Sequence, residues 1–147
     1  MKSLLRAVFL AVIAVMFAAN PSYAHNTKAE SLLSTGETKL ASGNYKEAIA
    51  DFTQSINLEP RLSTSDLVKA YFNRGMAKSS TGDSQGAKED FIKVTELDRT
   101  PKDGVGYYNR ATAHSIIGNN KEAVSDFKKA ASFGNIPAEE WLKKNGY

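Results

Sequence analysis

The sequence contains no cysteine, and it has only two histidines and one tryptophan among its 147 residues. Without cysteine the fold cannot be held by disulfides, and the chain has neither a thiol nucleophile nor a thiolate metal ligand. Two isolated histidines, His25 and His114, do not make a zinc site. The sequence therefore predicts no metal and no cofactor, and a fold held together by a packed apolar core.

A strong charge of one sign is also missing. The chain has 19 basic and 16 acidic residues, a formal net charge of +3, and no segment of it is strongly basic. Proteins that bind nucleic acid concentrate positive charge on one face or along one element. The charge pattern therefore argues against a nucleic-acid partner.

The sequence lacks the residue groupings that are typical of catalysis. No cysteine is available as a nucleophile, and His114 falls within a helical pattern, where we predict a partly buried packing role rather than that of a base. The acidic residues are scattered at helical surface spacing, and the pair Glu89 and Asp90 is predicted to lie on a solvated face. No glycine-rich phosphate loop is present. We therefore predict that the protein is not an enzyme.

One long apolar run is present, "AVFLAVIAVMFAA" at residues 7–19. Lys2 and Arg6 precede it and the small residues Ser22 and Ala24 follow it, which is the layout of a secretory signal peptide of bacterial type. As a helix the run spans about 20 Å, less than the roughly 30 Å of a hydrocarbon core. We predict a signal peptide over 1–24 and an exported domain over 25–147, periplasmic or extracellular. The alternative is an uncleaved membrane anchor.

Beyond this segment, the chain repeats itself. The decapeptide "GNYKEAIADF" at 43–52 returns as "GNNKEAVSDF" at 118–127 and, more weakly, as "GDSQGAKEDF" at 82–91. Seven positions before each leading glycine stands a small residue: Gly36, Gly75 and Ala111. A repeat of this length indicates stacked supersecondary units that share one core.

Each unit is predicted to be a pair of helices joined by a tight turn. The first helices are predicted over residues 28–42, 66–81 and 104–117, and the second helices over 45–58, 84–97 and 120–133. The glycine that opens each decapeptide ends a first helix in a left-handed conformation. The next residue is predicted to cap the second helix, and in two units a glutamate completes a capping box. The residues in these roles are Gly43, Gly82 and Gly118; Asn44, Asp83 and Asn119; and Glu47 and Glu122.

The second helices carry an apolar stripe that a single unit cannot bury alone. An alanine and a phenylalanine four residues later open each stripe: Ala48 and Phe52, Ala87 and Phe91, and Ala123 and Phe127. We interpret these residues as packing positions and the lysines and glutamates of the decapeptides as solvated surface.

These positions resemble the tetratricopeptide repeat, a 34-residue helix-turn-helix with the pattern W-x2-L-G-x2-Y, followed by Ala, Phe and Pro. The matching residues are Gly36, Ala48, Phe52 and Pro60 in the first unit, Tyr71, Gly75, Ala87 and Phe91 in the second, and Tyr107, Ala111, Ala123 and Phe127 in the third. The resemblance implies an all-α fold, an α-solenoid of three repeats at about 29–62, 68–101 and 104–133. The segment "RLSTSD" lengthens the first linker.

The C-terminal segment "GNIPAEEWLKKNGY" predicts a capping helix at about 137–144. Pro137 suits the first turn of a helix, and Asn145 followed by Gly146 ends it. Ile136, Trp141 and Leu142 are predicted to cover the exposed apolar end of the third repeat, as terminal repeats require.

The resemblance also implies a function. In the family the first helices line a concave groove that accepts a peptide, so we expect a protein or peptide partner. The groove positions implied for this chain are Leu33, Glu37 and Leu40; Lys69, Phe72, Asn73, Met76 and Ser79; and Val105, Tyr108, Asn109, Thr112 and Ile116. Phe72 and Tyr108 are predicted as anchors, with burial between units as the alternative.

One subfamily, the heat-shock co-chaperones, grips a C-terminal carboxylate with five Lys, Asn and Arg side chains. This chain keeps Asn73 of those five positions and has Leu33, Glu37, Val105 and Asn109 at the others, which cannot form the same charge-assisted bonds. We therefore expect an exported adaptor or scaffold rather than a chaperone-tail receptor. The alternatives are a membrane-anchored adaptor and a hydrolase of envelope polymers, which would need two carboxylates across a cleft.

Overall fold

The computed structural model describes residues 21–58 and 62–147, with side chains from residue 28 onward. Within these residues the chain forms seven α-helices and no strand, which confirms the predicted all-α class. The helices are α1 (Pro21–Ala41), α2 (Tyr45–Asn57), α3 (Thr64–Ser80), α4 (Ser84–Leu97), α5 (Gly104–Ile117), α6 (Asn120–Ser132) and α7 (Ile136–Lys144). Each repeat is one consecutive pair, and α7 packs on α6.

The helix ends agree with the sequence prediction to within two residues, except at the start of α1. That helix begins at Pro21, seven residues before the predicted start and upstream of the predicted cleavage site after Ala24. The rest of the predicted signal peptide, residues 1–20, lies outside the described residues, as does Pro60 of the first repeat. The three turn glycines are left-handed as predicted, with φ of +77°, +85° and +92° at Gly43, Gly82 and Gly118.

The capping predictions hold for only one of the three second helices. Asp83 accepts a hydrogen bond from the Gly86 N–H at 2.9 Å. Asn44 and Asn119 stand at the N-cap positions of α2 and α6 but make no side-chain cap hydrogen bond. All three turns share a backbone hydrogen bond of the Schellman type: the N–H of Asn44, Asp83 and Asn119 donates to the carbonyl of Lys39, Lys78 and His114, respectively.

A side-chain N-cap that the sequence did not predict forms at α3. The Ser63 hydroxyl accepts from the Asp66 N–H at 3.1 Å and donates to the Asp66 carboxylate at 2.7 Å. The hydrogen bond from Ser63 lowers the pKa of Asp66. Because of this cap, α3 begins at Thr64, two residues before the predicted start.

The core is a row of three clusters, one under each repeat. The alanine and phenylalanine of every decapeptide are at most 2% exposed, as the stripe predicted. The clusters also cross repeat boundaries: Ala70 of the second repeat joins the cluster around Phe52, and Ala113 of the third joins the one around Phe91. The clusters therefore join each repeat to the next, which is how a solenoid buries faces that one helix pair cannot bury.

The small residue of each first helix lies against the phenylalanine of its own second helix. A Cβ on Gly36 would stand 2.7 Å from Phe52 Cε1, and one on Gly75 would stand 3.1 Å from Phe91 Cζ. Real Cβ contacts are rarely that short. The phenylalanine ring can therefore take this position only if the residue facing it on the first helix has a very small side chain. The third repeat accommodates Ala111 at the same place with no exposed surface.

The third repeat is covered by α7. The Trp141 ring stacks on Phe127 with centroids 4.0 Å apart, and Leu142 is buried in the same cluster. Both were predicted to cap the solenoid. Ile136 does not contribute, since its side chain is 64% exposed, and Ala138 is buried instead. The predicted role of Ile136 was therefore wrong: Asn135 caps α7 through the Ala138 N–H, which leaves Ile136 at the first helical position.

Each repeat buries one aspartate, and two of the three are held by an arginine. Asp90 is 2% exposed and accepts from Arg74 Nε at 2.9 Å and from Nη2 at 2.7 Å. Asp126 is bound in the same way by Arg110. The prediction that Asp90 lies on a solvated face was therefore wrong, because helical spacing alone does not show which acidic residue meets a basic partner from the neighbouring helix.

The arginines also connect consecutive repeats. Arg74 Nη1 donates to the Thr53 hydroxyl of the first repeat at 3.1 Å, and Arg110 Nη1 donates to the Asp98 carbonyl of the second at 3.0 Å. The first repeat has Thr35 at the corresponding position. Its Asp51 instead has an ionic contact with Lys39 Nζ at 2.6 Å, outside hydrogen-bond geometry.

Candidate partner-binding surface

Of the first helices, α1 packs directly on α3, whereas α5 packs on the second helices α4 and α6. Between α1 and α3, the Asn73 side-chain amide donates to the Glu37 carboxylate at 3.2 Å. Between α3 and α5, Val68 and Ala113 share one core cluster. The predicted groove residues are therefore carried by two helices in direct contact, α1 and α3, and by α5, which is joined to α3 through the core cluster around Phe91.

Most of the predicted groove residues have accessible side chains. Met76, Val105 and Ile116 are 39%, 62% and 44% exposed, which is a large fraction for apolar side chains. Glu37, Lys69 and Ser79 are also exposed, whereas Leu40, Asn73, Asn109 and Thr112 are half-buried. The exposed apolar residues are spaced among polar ones, a pattern often found at interaction sites.

Four predicted groove residues are used for packing, and one of them, Leu40, packs against the first core cluster. Leu33 is only 6% exposed and belongs to the first core cluster, so its predicted place on the groove surface was wrong. Phe72 and Tyr108 are half-buried, and each ring meets the phenylalanine of its own second helix edge-on, with centroids 5.8 Å apart in both cases. Both anchors predicted from the sequence thus already have a packing role.

A cavity of about 720 Å³ lies at the junction of the second and third repeats. The N-terminal turns of α3 and α5 and the C-terminal end of α4 surround it. Three of the predicted groove residues, Lys69, Val105 and Asn109, lie on its wall. No pattern in the sequence predicted this cavity, because its wall is assembled from three helices and the linker of residues 98–103.

Two carboxylates meet at the edge of this cavity. A Cβ on Gly106 would stand 3.4 Å from Asp98 Oδ2 and 3.5 Å from Asp103 Oδ1, so the two oxygens are no more than about 7 Å apart. Asp103 caps α5 by accepting from the Gly106 N–H at 2.8 Å. Burial raises the pKa of the Asp98 carboxyl, and Arg110 opposes this while Asp103 adds to it.

His114 has a structural position, as the sequence predicted. It is half-buried on α5, and its Nε2 lies 4.0 Å from Asp126 Oδ2. Burial lowers the pKa of His114, with Asp126 opposing the shift and Arg110 adding to it. The imidazole therefore borders the buried ion pair of the third repeat rather than an open cleft.

Across the described ranges, no three His, Asp or Glu side chains come together in a way that would ligate a metal ion. None of the helices in that part of the chain combines the length and the apolar character needed to cross a lipid bilayer.

Comparison with known proteins identifies relatives of this architecture. The family model described as tetratricopeptide repeat matches residues 28–62, 68–101 and 106–133. Among solved structures, the first tetratricopeptide domain of Spaghetti (RPAP3), bound to the HSP90 peptide SRMEEVD, is similar with a TM-score of 0.60 and 23% identity. That match covers 81% of this chain and 90% of the other. The tetratricopeptide domain of Arabidopsis OM64 is similar with a TM-score of 0.55 and 24% identity, over 82% and 98% of the two chains.

Proposed function

Because the chain belongs to the tetratricopeptide repeat family, whose members are typically non-enzymatic interaction modules, we propose that it docks a segment of a protein partner along α1, α3 and α5. The observation that carries the proposal is the exposure of Met76 on α3 and of Val105 and Ile116 on α5. When a partner covers apolar side chains that are exposed to water, the burial of their surface stabilises the complex. The Spaghetti domain, of similar fold, was solved with a peptide bound.

The partner segment that fits this surface differs from an acidic chaperone tail. Asn73 is the single residue shared with the carboxylate-gripping set, and its amide is already bonded to the Glu37 carboxylate. Leu33, at another of those positions, is buried in the core. An acidic peptide laid over this place would meet the negative charge of Glu37, which disfavours it.

We further propose that the protein acts in the cell envelope as an adaptor that brings partners together. The support is the signal-peptide layout of residues 1–24, with its basic start, apolar run and small residues before the cleavage position. Mass spectrometry of the N-terminus of the native protein tests this. A chain that begins at His25 supports export with cleavage, whereas a retained N-terminus supports the membrane-anchored alternative.

The hydrolase alternative required two carboxylates across a cleft, and Asp98 and Asp103 satisfy the distance. Their surroundings favour a different role, because both belong to the single linker of residues 98–103 between α4 and α5 rather than to two separate elements of the fold. The Asp103 carboxylate is also committed to the cap of α5. We therefore propose binding rather than hydrolysis at this surface.

The docking proposal is tested by photo-crosslinking in the native envelope. A benzoylphenylalanine placed at Met76 or at Ile116 is expected to capture the same partner. Ile92 is the matched control, since it is apolar and 37% exposed but lies on the second helix α4. Equal capture from Ile92 would show that the first helices are not the docking surface.

Substitution of the same positions by a charged residue gives an independent test of whether the partner docks there. Met76→Glu and Ile116→Glu are expected to reduce partner capture without loss of helicity, because both side chains are already solvent-exposed and outside the core clusters. Ile92→Glu is expected to leave capture unchanged. These positions are better probes than Phe72 and Tyr108, whose removal would also disturb the core.

A further inference from the structure

The cavity between the second and third repeats combines apolar walls with a carboxylate. Val68 and Leu97 contribute apolar surface from α3 and α4, and Val105 contributes it from α5. Asp98 lies on the wall at the C-cap position of α4 and is half-buried. A volume of about 720 Å³ is ample for one long side chain together with the backbone that carries it.

Asp98 stands where folding alone disfavours a carboxylate. It is partly removed from water, which raises its pKa. It lies at the C-terminal end of α4, where the helix dipole disfavours negative charge. Asp103 adds a second carboxylate nearby. Burial, the helix dipole and Asp103 therefore oppose the ionised form, while Arg110 favours it, and a cationic ligand would add a further charge that stabilises the carboxylate.

Basic side chains surround the cavity, since Lys69, Arg99 and Lys102 line it and Arg110 lies close by, but none of them hydrogen-bonds the Asp98 carboxylate. Arg110 uses Nε and Nη2 for Asp126 and donates from Nη1 to the carbonyl oxygens of Asp98 and Arg99. Lys69 pairs with Asp66 at 3.2 Å. Arg99 Nε donates to the Glu96 carbonyl at 3.3 Å. Among the residues that the structure describes, none donates a hydrogen bond to the Asp98 carboxylate.

We propose that the cavity receives a lysine or arginine side chain of the partner segment, with Asp98 as its counter-ion. The methylene groups of such a side chain pack on Val68 and Val105, and its charged end reaches the carboxylate. A guanidinium or ammonium offers the hydrogen-bond donors that Asp98 lacks. The inference rests on the proposed function, since it identifies one residue of the segment that docks along the first helices.

Two synthetic peptides test the inference on the full exported chain. The probes are the acetylated and amidated pentapeptides Ala-Leu-Arg-Leu-Ala and Ala-Leu-citrulline-Leu-Ala, which differ by one charge at nearly constant shape. Titrations followed by the amide NMR signals of Val105, Gly106 and Asn109 give the dissociation constants. The arginine peptide is expected to bind about tenfold more tightly, the value of one charge-assisted hydrogen bond.

The matched variants are Asp98→Asn and Glu89→Gln. Asp98→Asn is expected to weaken the arginine peptide to the level of the citrulline peptide and to leave the latter unchanged. Glu89→Gln removes an exposed carboxylate on α4 that does not line the cavity, so it is expected to change neither. Thermal melting distinguishes a loss of binding from a loss of folding, because the Asp98→Asn variant is expected to unfold at the same temperature as the parent or at a higher one.

Several outcomes would overturn the inference. Equal binding of the two peptides, no effect of Asp98→Asn, or no shift of the cavity amides would each exclude a cation site. Tighter binding of Ala-Leu-Glu-Leu-Ala would show that Lys69 and Lys102 determine the preferred charge instead. Partner capture from Met76 and Ile116 without discrimination between the peptides would refute this inference and leave the proposed function standing.

Discussion

The Arg110 guanidinium holds both oxygens of the Asp126 carboxylate, with Nε and Nη2 each 2.7 Å from one of them. Its remaining Nη1 donates to the carbonyl of Asp98 at the end of the preceding repeat. The Arg110 side chain thus joins α5 to α6 and to the linker that precedes α5. Both partners are largely buried, with side-chain exposures of 15% and 9%.

Breaking this pair is expected to destabilise the protein strongly. Asp126→Ala leaves the Arg110 guanidinium buried without its counter-charge, and we expect a loss of about 3 kcal/mol in the free energy of unfolding. The double variant Arg110→Met with Asp126→Leu is expected to recover part of that loss, because no charge then remains buried. Urea denaturation followed by circular dichroism measures both.

The exposed pair of Lys93 and Glu96 serves as the control for that experiment. Each of its side chains is 52% exposed, so Lys93→Ala is expected to leave the denaturation midpoint unchanged. A similar loss of stability from Lys93→Ala and Asp126→Ala would show that the burial of an ion pair does not determine how much it stabilises the protein.

The close contact between Gly36 and Phe52 predicts an unequal response to alanine in the first two repeats. Alanine favours a helix over glycine by about 1 kcal/mol, but overpacking of a core costs about 1–3 kcal/mol. Because a Cβ on Gly36 would stand only 2.7 Å from the Phe52 ring, we expect Gly36→Ala to lower the free energy of unfolding by about 1–2 kcal/mol net. With 3.1 Å at Gly75, we expect Gly75→Ala to be nearly neutral. A larger loss at Gly75 in urea denaturation would contradict this order.

The position of His114 predicts a pH-dependent stability. Burial lowers its pKa below the ordinary value of about 6.5, so the unfolded chain takes up the proton first as the pH falls. Stability contributed by this residue is therefore complete above about pH 6.5 and declines below it, until the folded protein also protonates.

His114→Lys tests this with a residue that the other repeats already use. Lys39 and Lys78 occupy the matching positions beside Asp51 and Asp90. Lysine stays charged throughout this range, so the variant is expected to lose less stability than the parent between pH 7.5 and 5.5, measured as the shift of the urea midpoint. Identical shifts in the two proteins would rule out His114 as the source.

The stack of Trp141 on Phe127 predicts that the C-terminal cap stabilises the end of the solenoid. Trp141→Ala is expected to cost about 2–3 kcal/mol, because it opens the third core cluster at its outer face. Since neighbouring repeats stabilise one another in sequence, amide hydrogen exchange is expected to accelerate more in α5 and α6 than in α2.

Tyr147→Ala provides the comparison for the cap. The Tyr147 ring lies parallel to Trp141 with centroids 6.1 Å apart but is 61% exposed, so its removal is expected to have a much smaller effect. Uniform acceleration of exchange along the whole chain after Trp141→Ala would indicate that the repeats unfold as a single unit.

Local signals were sufficient to predict the helices of this protein. The left-handed glycines Gly43, Gly82 and Gly118 and the spacing of Ala and Phe depend on residues within one turn or one helix pair, so they can be recognised in the sequence. The same is true of Pro137 at the start of the capping helix. Even so, Asn44 and Asn119 were predicted as side-chain caps, where backbone hydrogen bonds alone close the turn.

The sequence by itself determined the repeat architecture, because hydrophobic periodicity and turn chemistry act over short distances along the chain. Only the tertiary structure decided which polar and apolar side chains remain available to a partner. It buried Leu33 and Asp90, and it placed Asn73 in hydrogen-bond contact with Glu37. It also left Asp98 half-buried beside a cavity, where none of the described residues donates a hydrogen bond to its carboxylate. These outcomes depend on contacts between helices of different repeats, and such contacts are set by how the repeats stack rather than by the pattern within any one of them.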